Sequence, residues 1–197
     1  MSKLIDVTVP LSADLPVWPG DPAFRLEFTR RMADGQYCNL SRLSLGSHAG
    51  THVDAPSHVL PDGETIGRVP LDAFIGRACV VDVPGRGEVG PDALPRGTFA
   101  APRVLFRTGG RAFLSPLAAV RLAERGTLLV GTDAMSIDPV DAADLPVHRA
   151  LLGSGVAVLE NLDLSRANQG MYMLVALPIC FTELDASPVR AILIKER

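Results

Sequence analysis

A chain of 197 residues with 47% hydrophobic and 21% charged residues has a globular composition and the length of one domain, spanning 1–197. Its formal net charge of -3 gives no electrostatic reason to expect a nucleic-acid partner, and its longest apolar runs, such as MYMLVALPICF, fall far short of the roughly 20 residues that span a bilayer. Met1 to Ser12 has neither the basic start nor the apolar centre of a signal peptide, so a cytoplasmic protein is expected.

In chain order, KLIDVTVPL, FRLEFTR and CNLSRLSL have strand character, the last alternating Leu43 and Leu45 with Arg42 and Ser44. RACVVDV, RVLFRT, GTLLVG, GVAVLE, YMLVALP and VRAILI follow as short apolar runs bounded by Gly, Pro or charge, the pattern of buried strands. Two helices stand among them. SPLAAVRLAERG offers Ser115 as N-cap, Pro116 at the first helical position and Gly126 as stop; DLPVHRALLG offers Asp144 as cap and Gly153 as stop. Many strands, few helices and the strand–helix–strand order from Arg103 to Glu160 predict an α/β fold around a mixed sheet. Cys38, Cys79 and Cys180 are odd in number and lack a CxxC pair, so they read as reduced and mostly structural. RTGGRAF, without Walker or GxGxxG spacing, reads as a loop.

Three of the four histidines fall in SHAGTHVDAPSH, where His48, His52, Asp54 and His58 all carry even numbers. A helix there is disfavoured by Gly50, the β-branched Thr51 and Val53, and Pro56. In a strand the four side chains share a face. His52 and Asp54 are then about 6.6 Å apart by Cα, but His48 lies about 13 Å from His52, so a bend at Gly50 is needed to bring it back. Pro56 favours an extended Ala55, expected to carry His58 away from the other three; this nominates His58 for proton transfer rather than ligation. Downstream, His148 in the second helix and Glu160 at the end of GVAVLE are further candidate ligands, placed where α/β sheets hold theirs. Imidazoles and carboxylates in this mixture suit Zn²⁺ or Mn²⁺. A serine-nucleophile triad is disfavoured, since no G-x-S-x-G occurs.

HAGTHVDAPSH fits the pattern H-x-G-T-H-x-D-x-P-x-H, and in this the chain resembles the cyclase family that includes bacterial kynurenine formamidases and isatin hydrolase. VPLSADLPVWPGDPAF, IGRVPLDAFIG, LLVGTDAMSIDP, VLENL and LDASPVRAILI extend the resemblance to the formamidases over most of the chain. The resemblance implies a swivelling β/β/α domain that forms homodimers, acts on a small-molecule substrate and holds zinc or manganese, one or two ions per chain. It further implies that His48, His52 and Asp54 hold the first ion, that Asp54 bridges to a second held by His148 and Glu160, and that His58 is the catalytic acid and base. By the same resemblance the rigid PVWPGDP loop brings Trp18 to the active site, across a dimer interface, to stack on an aromatic substrate. Such a metal acidifies water, whose hydroxide attacks an amide carbonyl while His58 moves the proton to the leaving nitrogen. With N-formylkynurenine the products are kynurenine and formate. The Arg107 to Leu117 segment is shorter than in the formamidases, and Thr51 and Val53 follow the broader family motif instead. Isatin-like cyclic-amide hydrolysis, a metal-assisted cyclase or dehydratase, and a metal-holding binding protein are the other readings; the presence of His58 speaks against the last.

Overall fold

A computed structural model describes residues 3–195. The chain begins with β1 (Lys3–Asp6), β2 (Arg25–Arg30), β3 (Leu40–Ser44) and β4 (His52–Asp54) and continues with β5 (Ile75–Asp82), β6 (Gly87–Val89), β7 (Arg103–Arg107) and β8 (Ala112–Leu114). Then come α1 (Pro116–Glu124), β9 (Leu129–Thr132), α2 (Pro146–Leu152), β10 (Ala157–Glu160), β11 (Gly170–Val175), β12 (Ala186–Pro188) and β13 (Ile192–Lys195). Every strand expected from an apolar run forms. The strands with no sequence signal, β6, β8 and β12, are three residues long, too short to display a period.

Nine strands join in one sheet in the order β1-β13-β11-β5-β7-β9-β10-β4-β12. Its centre, β5-β7-β9-β10, is parallel and its flanks antiparallel, so the fold is the mixed α/β sheet with few helices that the sequence predicts. The two-residue period of the strands divides their side chains between two cores. Val80, Leu105, Leu129 and Leu159 enter one; Cys79, Val81, Val104, Phe106, Val130 and Val158 enter the other. Burial on both faces is why these strands read as continuous apolar runs. The second core is roofed by α1 and α2 through Ala118, Leu122, Val147 and Leu151. The first contains Ile5 from one end of the sheet order and Val53 from near the other, so the sheet curls around it. Among the described residues no helix is long and apolar enough to cross a membrane, and all three cysteines are free, with Cys79 buried, Cys38 half-buried and Cys180 exposed.

Helix α1 starts as expected: Ser115 Oγ accepts from the Ala118 amide at 3.1 Å. Helix α2 does not. Leu145, at φ 46, occupies the N-cap, and Asp144 caps nothing. Instead Asp138, in the loop after β9, accepts from the Val147 and His148 amides, each at 2.9 Å. The left-handed turn at Leu145 aims these amides at that loop, and Pro146 has no N–H to offer. At the other end Gly153 stays right-handed, and the left-handed break falls at Gly155, φ 75. In RTGGRAF the amides of Thr108 and Gly109 donate to Asp133, so this loop is filled by the protein's own carboxylate.

The bend anticipated at Gly50 is present, with φ 66. A Cβ here would stand 2.7 Å from Leu11 Cδ2. Left-handed backbone costs an L-residue about 1–2 kcal/mol before that clash is counted, and each kcal/mol shifts the melting temperature of a chain this size by roughly 2–4 °C. Gly50→Ala is therefore expected to lower Tm by several degrees, measured by thermal denaturation of the metal-free protein.

Candidate metal and catalytic site

Strand register assembles the site. Antiparallel pairing sets His52 directly across from Glu160 and Asp54 across from Val158. Val158 points into the helix-side core, so by alternation His52, Asp54 and Glu160 share that face while Val53 and Leu159 fill the opposite one. Helix α2 lays His148 over them: its Nε2 is 3.1 Å from Glu160 Oε1 and 3.4 Å from Asp54 Oδ2. The Gly50 bend returns His48, whose Nδ1 is 3.0 Å from Asp54 Oδ1. All five candidate ligands read from the sequence thus converge.

The expectation for His58 is corrected in part. Ala55 is extended (φ -104, ψ 162), as its proline neighbour requires, but Pro56–His58 then winds into a single 3-10 turn. Proline fits the first position of a helical turn as well as an extended chain. A hydrogen bond from the Ser57 amide to Glu64 O, at 3.1 Å, pins the turn. The chain is therefore not carried away: the His58 ring lies 4.2 Å from that of His48 and 5.4 Å from that of His148. Two carboxylates that sequence reasoning missed complete the surroundings. Asp185 lies beside β4, its carbonyl accepting from the Ala55 amide, and its Oδ2 is 2.9 Å from His48 Nε2 and 3.2 Å from His58 Nδ1. Asp138 Oδ2 is 2.7 Å from His148 Nδ1. Asp185 stands in the quoted segment LDASPVRAILI, and that position was the available signal.

The donors fit a divalent cation. Asp54 is completely buried, and neither of its oxygens nor His52 Nε2 has a hydrogen-bond partner of good geometry, although His48, His52 and His148 nitrogens stand 3.0 to 3.4 Å from the carboxylate. A buried carboxylate so placed is strongly destabilising unless a cation compensates it. His52 Nδ1 donates to the Gly50 carbonyl at 2.9 Å and His148 Nδ1 to Asp138, which leaves both Nε2 lone pairs facing inward, the arrangement of metal-binding imidazoles. Three overlapping groups have donor atoms within 4.8 Å of one another: His48, His52 and Asp54; Asp54, His148 and Glu160; and His48, His58 and Asp185.

Without a metal the cluster neutralises itself with protons. Burial opposes a charged His48 ring, but Asp185 and Asp54 outweigh it and hold its pKa at about 10. Burial likewise opposes charge on His52 and His148, and the carboxylates of Asp54 and Glu160 raise both. Glu160 is pushed down to about 2 because His148 and His52 overcome its burial. The cleft over the cluster is lined by Trp18, Asp21, Met135, Leu145 and Asn161 together with the histidines. Trp18 reaches the cleft of its own chain, so no second copy is needed to bring it there.

A model of the Cyclase family matches residues 5–139. The chain is 42% identical to a kynurenine formamidase of Salinibacter ruber over 204 residues, covering 96% of each. It is also 42% identical to a kynurenine formamidase of Paracidovorax citrulli over 212 residues, 96% of this chain and 95% of that one. A solved structure described as a potential metal-dependent hydrolase with cyclase activity superposes with TM-score 0.83 at 28% identity over the whole of both chains. Isatin hydrolase A from Labrenzia aggregata superposes with TM-score 0.84 at 25% identity over 100% of this chain and 94% of its own.

Ligation needs neutral imidazole, so a metal entering this site must expel the protons that His48, His52 and His148 hold near neutrality. Calorimetric titration of the metal-free protein with Zn²⁺ in buffers of different ionisation enthalpy is expected to register release of about one proton or more per ion, with affinity rising as pH rises from 6 to 8. Uptake independent of pH would contradict the electrostatics described above.

Proposed function

The chain is an enzyme of the cyclase family, and from that premise we propose that it hydrolyses N-formylkynurenine to kynurenine and formate. The observation that carries the reading is the buried, unpartnered donor pair of Asp54 and His52 inside a chain 42% identical to kynurenine formamidases along 96% of its length. In this reading His48, His52 and Asp54 would hold one ion, and Asp54, His148 and Glu160 would offer donors for a second. A divalent ion there, zinc or manganese, supplies a Lewis acid for the formyl carbonyl and lowers the pKa of water.

The side chains divide the remaining work. Asp185 orients His58 through Nδ1, which leaves the other ring nitrogen for the reacting groups. His58 takes a proton as water adds to the formyl carbon. It returns that proton to the aniline nitrogen as the C–N bond breaks, so formate and a free aryl amine leave. Asp138 plays the corresponding orienting part for His148, and Trp18 in the cleft lining meets the substrate. Hydrolysis of a cyclic amide is the second reading, favoured by the 0.84 superposition on isatin hydrolase A; it uses the same residues and retains the amine in the product.

The same reading makes the protein a cytoplasmic homodimer of one-domain chains. The β2–β3 hairpin supports the dimer: it exposes Leu26, Phe28, Leu40 and Leu43, and a two-stranded ribbon is marginal on its own in water.

Kynurenine release, followed by absorbance, tests the activity. His58→Ala is expected to cut turnover by about 10² to 10⁴ with metal content near wild type, whereas His52→Ala and Asp54→Ala lose metal and turnover together. A metal-free His58→Ala protein would make His58 a ligand. Metal-loaded enzyme that opens isatin but leaves N-formylkynurenine untouched would replace the first reading with the second.

A further inference from the structure

The mouth of the cleft is built by a turn whose ends both face the site. The Asp21 amide donates to the Trp18 carbonyl at 2.9 Å, closing a four-residue turn across Pro19 and Gly20. Pro19 fixes φ at the second position and Gly20, at φ 98, supplies the left-handed third, the pattern of a type II turn. Such a turn holds its two end residues within about 7 Å of each other by Cα. Trp18 and Asp21 both line the cleft above His48, His58 and His148. The pairing is therefore fixed by backbone geometry rather than by side-chain packing.

Away from the histidines on its floor, and any ion they hold, the cleft carries one sign of charge. No lysine or arginine lines it, and the Asp21 carboxylate enters no ion pair among the described residues. Glu160 lies deeper, with the His148 and Ile137 nitrogens at hydrogen-bonding distance, and is committed to the cluster. What stands at the entrance is a free carboxylate beside an indole face, the two groups that attract an ammonium ion. A substrate carboxylate would find no cation there to meet it.

We propose that Trp18 and Asp21 form a subsite for a primary ammonium group on the substrate, so that the enzyme selects aryl formamides bearing a free amine and leaves any substrate carboxylate to solvent. The proposal rests on the aryl-formamide reading above and narrows it. Asp21 is exposed, so its ion pair alone is weak; with the contribution of the indole, roughly a threefold to tenfold preference is expected.

The test compares four probes on the metal-loaded enzyme: N-formylkynurenine, its decarboxylated amine, its deaminated acid, and formanilide. Wild type should favour the two amines over formanilide by about fivefold in kcat/KM, chiefly through KM, with the deaminated acid poorest. Asp21→Asn should erase that ratio, Asp21→Glu should keep most of it, and Asp21→Lys should favour the acid. An acid as good as the amines in wild type, or a ratio that survives Asp21→Asn, overturns the proposal. If none of the four is hydrolysed, the aryl-formamide reading fails. Binding then decides the subsite separately: quenching of Trp18, the one tryptophan of the chain, by kynurenamine must weaken in Asp21→Asn, and equal quenching in both proteins rejects it.

Discussion

Asp54 is the constraint around which the rest is arranged. Its carboxylate is fully buried, accepts no hydrogen bond, and is faced by His48, His52 and His148. A group so placed is tolerable only with positive charge beside it, whether protons on the imidazoles or a cation between them. Each neighbouring element reads as a means of holding that charge. Strand β4 is only three residues long, yet it is paired on both sides, by β10 and β12, and so cannot shift its side chains. The Gly50 bend before it and the 3-10 turn after it fold His48 and His58 back over the same point.

The orienting groups are as specific as the donors. The Gly50 carbonyl fixes the tautomer of His52, and Asp138 fixes that of His148 while also capping α2. One carboxylate therefore couples the stability of a helix terminus to the aim of a site imidazole. Asp185 contacts both His48 and His58, and these two imidazoles hold its pKa far below the usual carboxylate range. Because the fold and its cluster of donors are compatible with many reactions, the proposed choice of substrate rests on groups where the site meets solvent, among them Trp18 in the cleft lining.

Sequence reading succeeded where the signal is local. Buried strands announce themselves as apolar runs, Ser115-Pro116 marks a helix start, and the clustered histidines with Gly50 between them foretell a bent strand. It failed where the partner is distant in the chain. Nothing near Pro146 indicates that Asp138 rather than Asp144 caps α2, because that choice is made by the left-handed turn at Leu145. Asp185 reaches His58 only because β12 pairs with β4, a register invisible in a three-residue strand. The 3-10 turn at Pro56 is a case of one residue compatible with two conformations, decided by the nonlocal bond to Glu64.

Whether a cation compensates the buried Asp54 carboxylate is read from the metal content of the purified protein. Elemental analysis is expected to find about one to two equivalents of zinc or manganese per chain, lost in Asp54→Asn, since the buried oxygens of Asp54 are common to two of the donor groups. Less than about 0.3 equivalents in wild type, with no uptake of added Zn²⁺ or Mn²⁺ at neutral pH, would contradict the account.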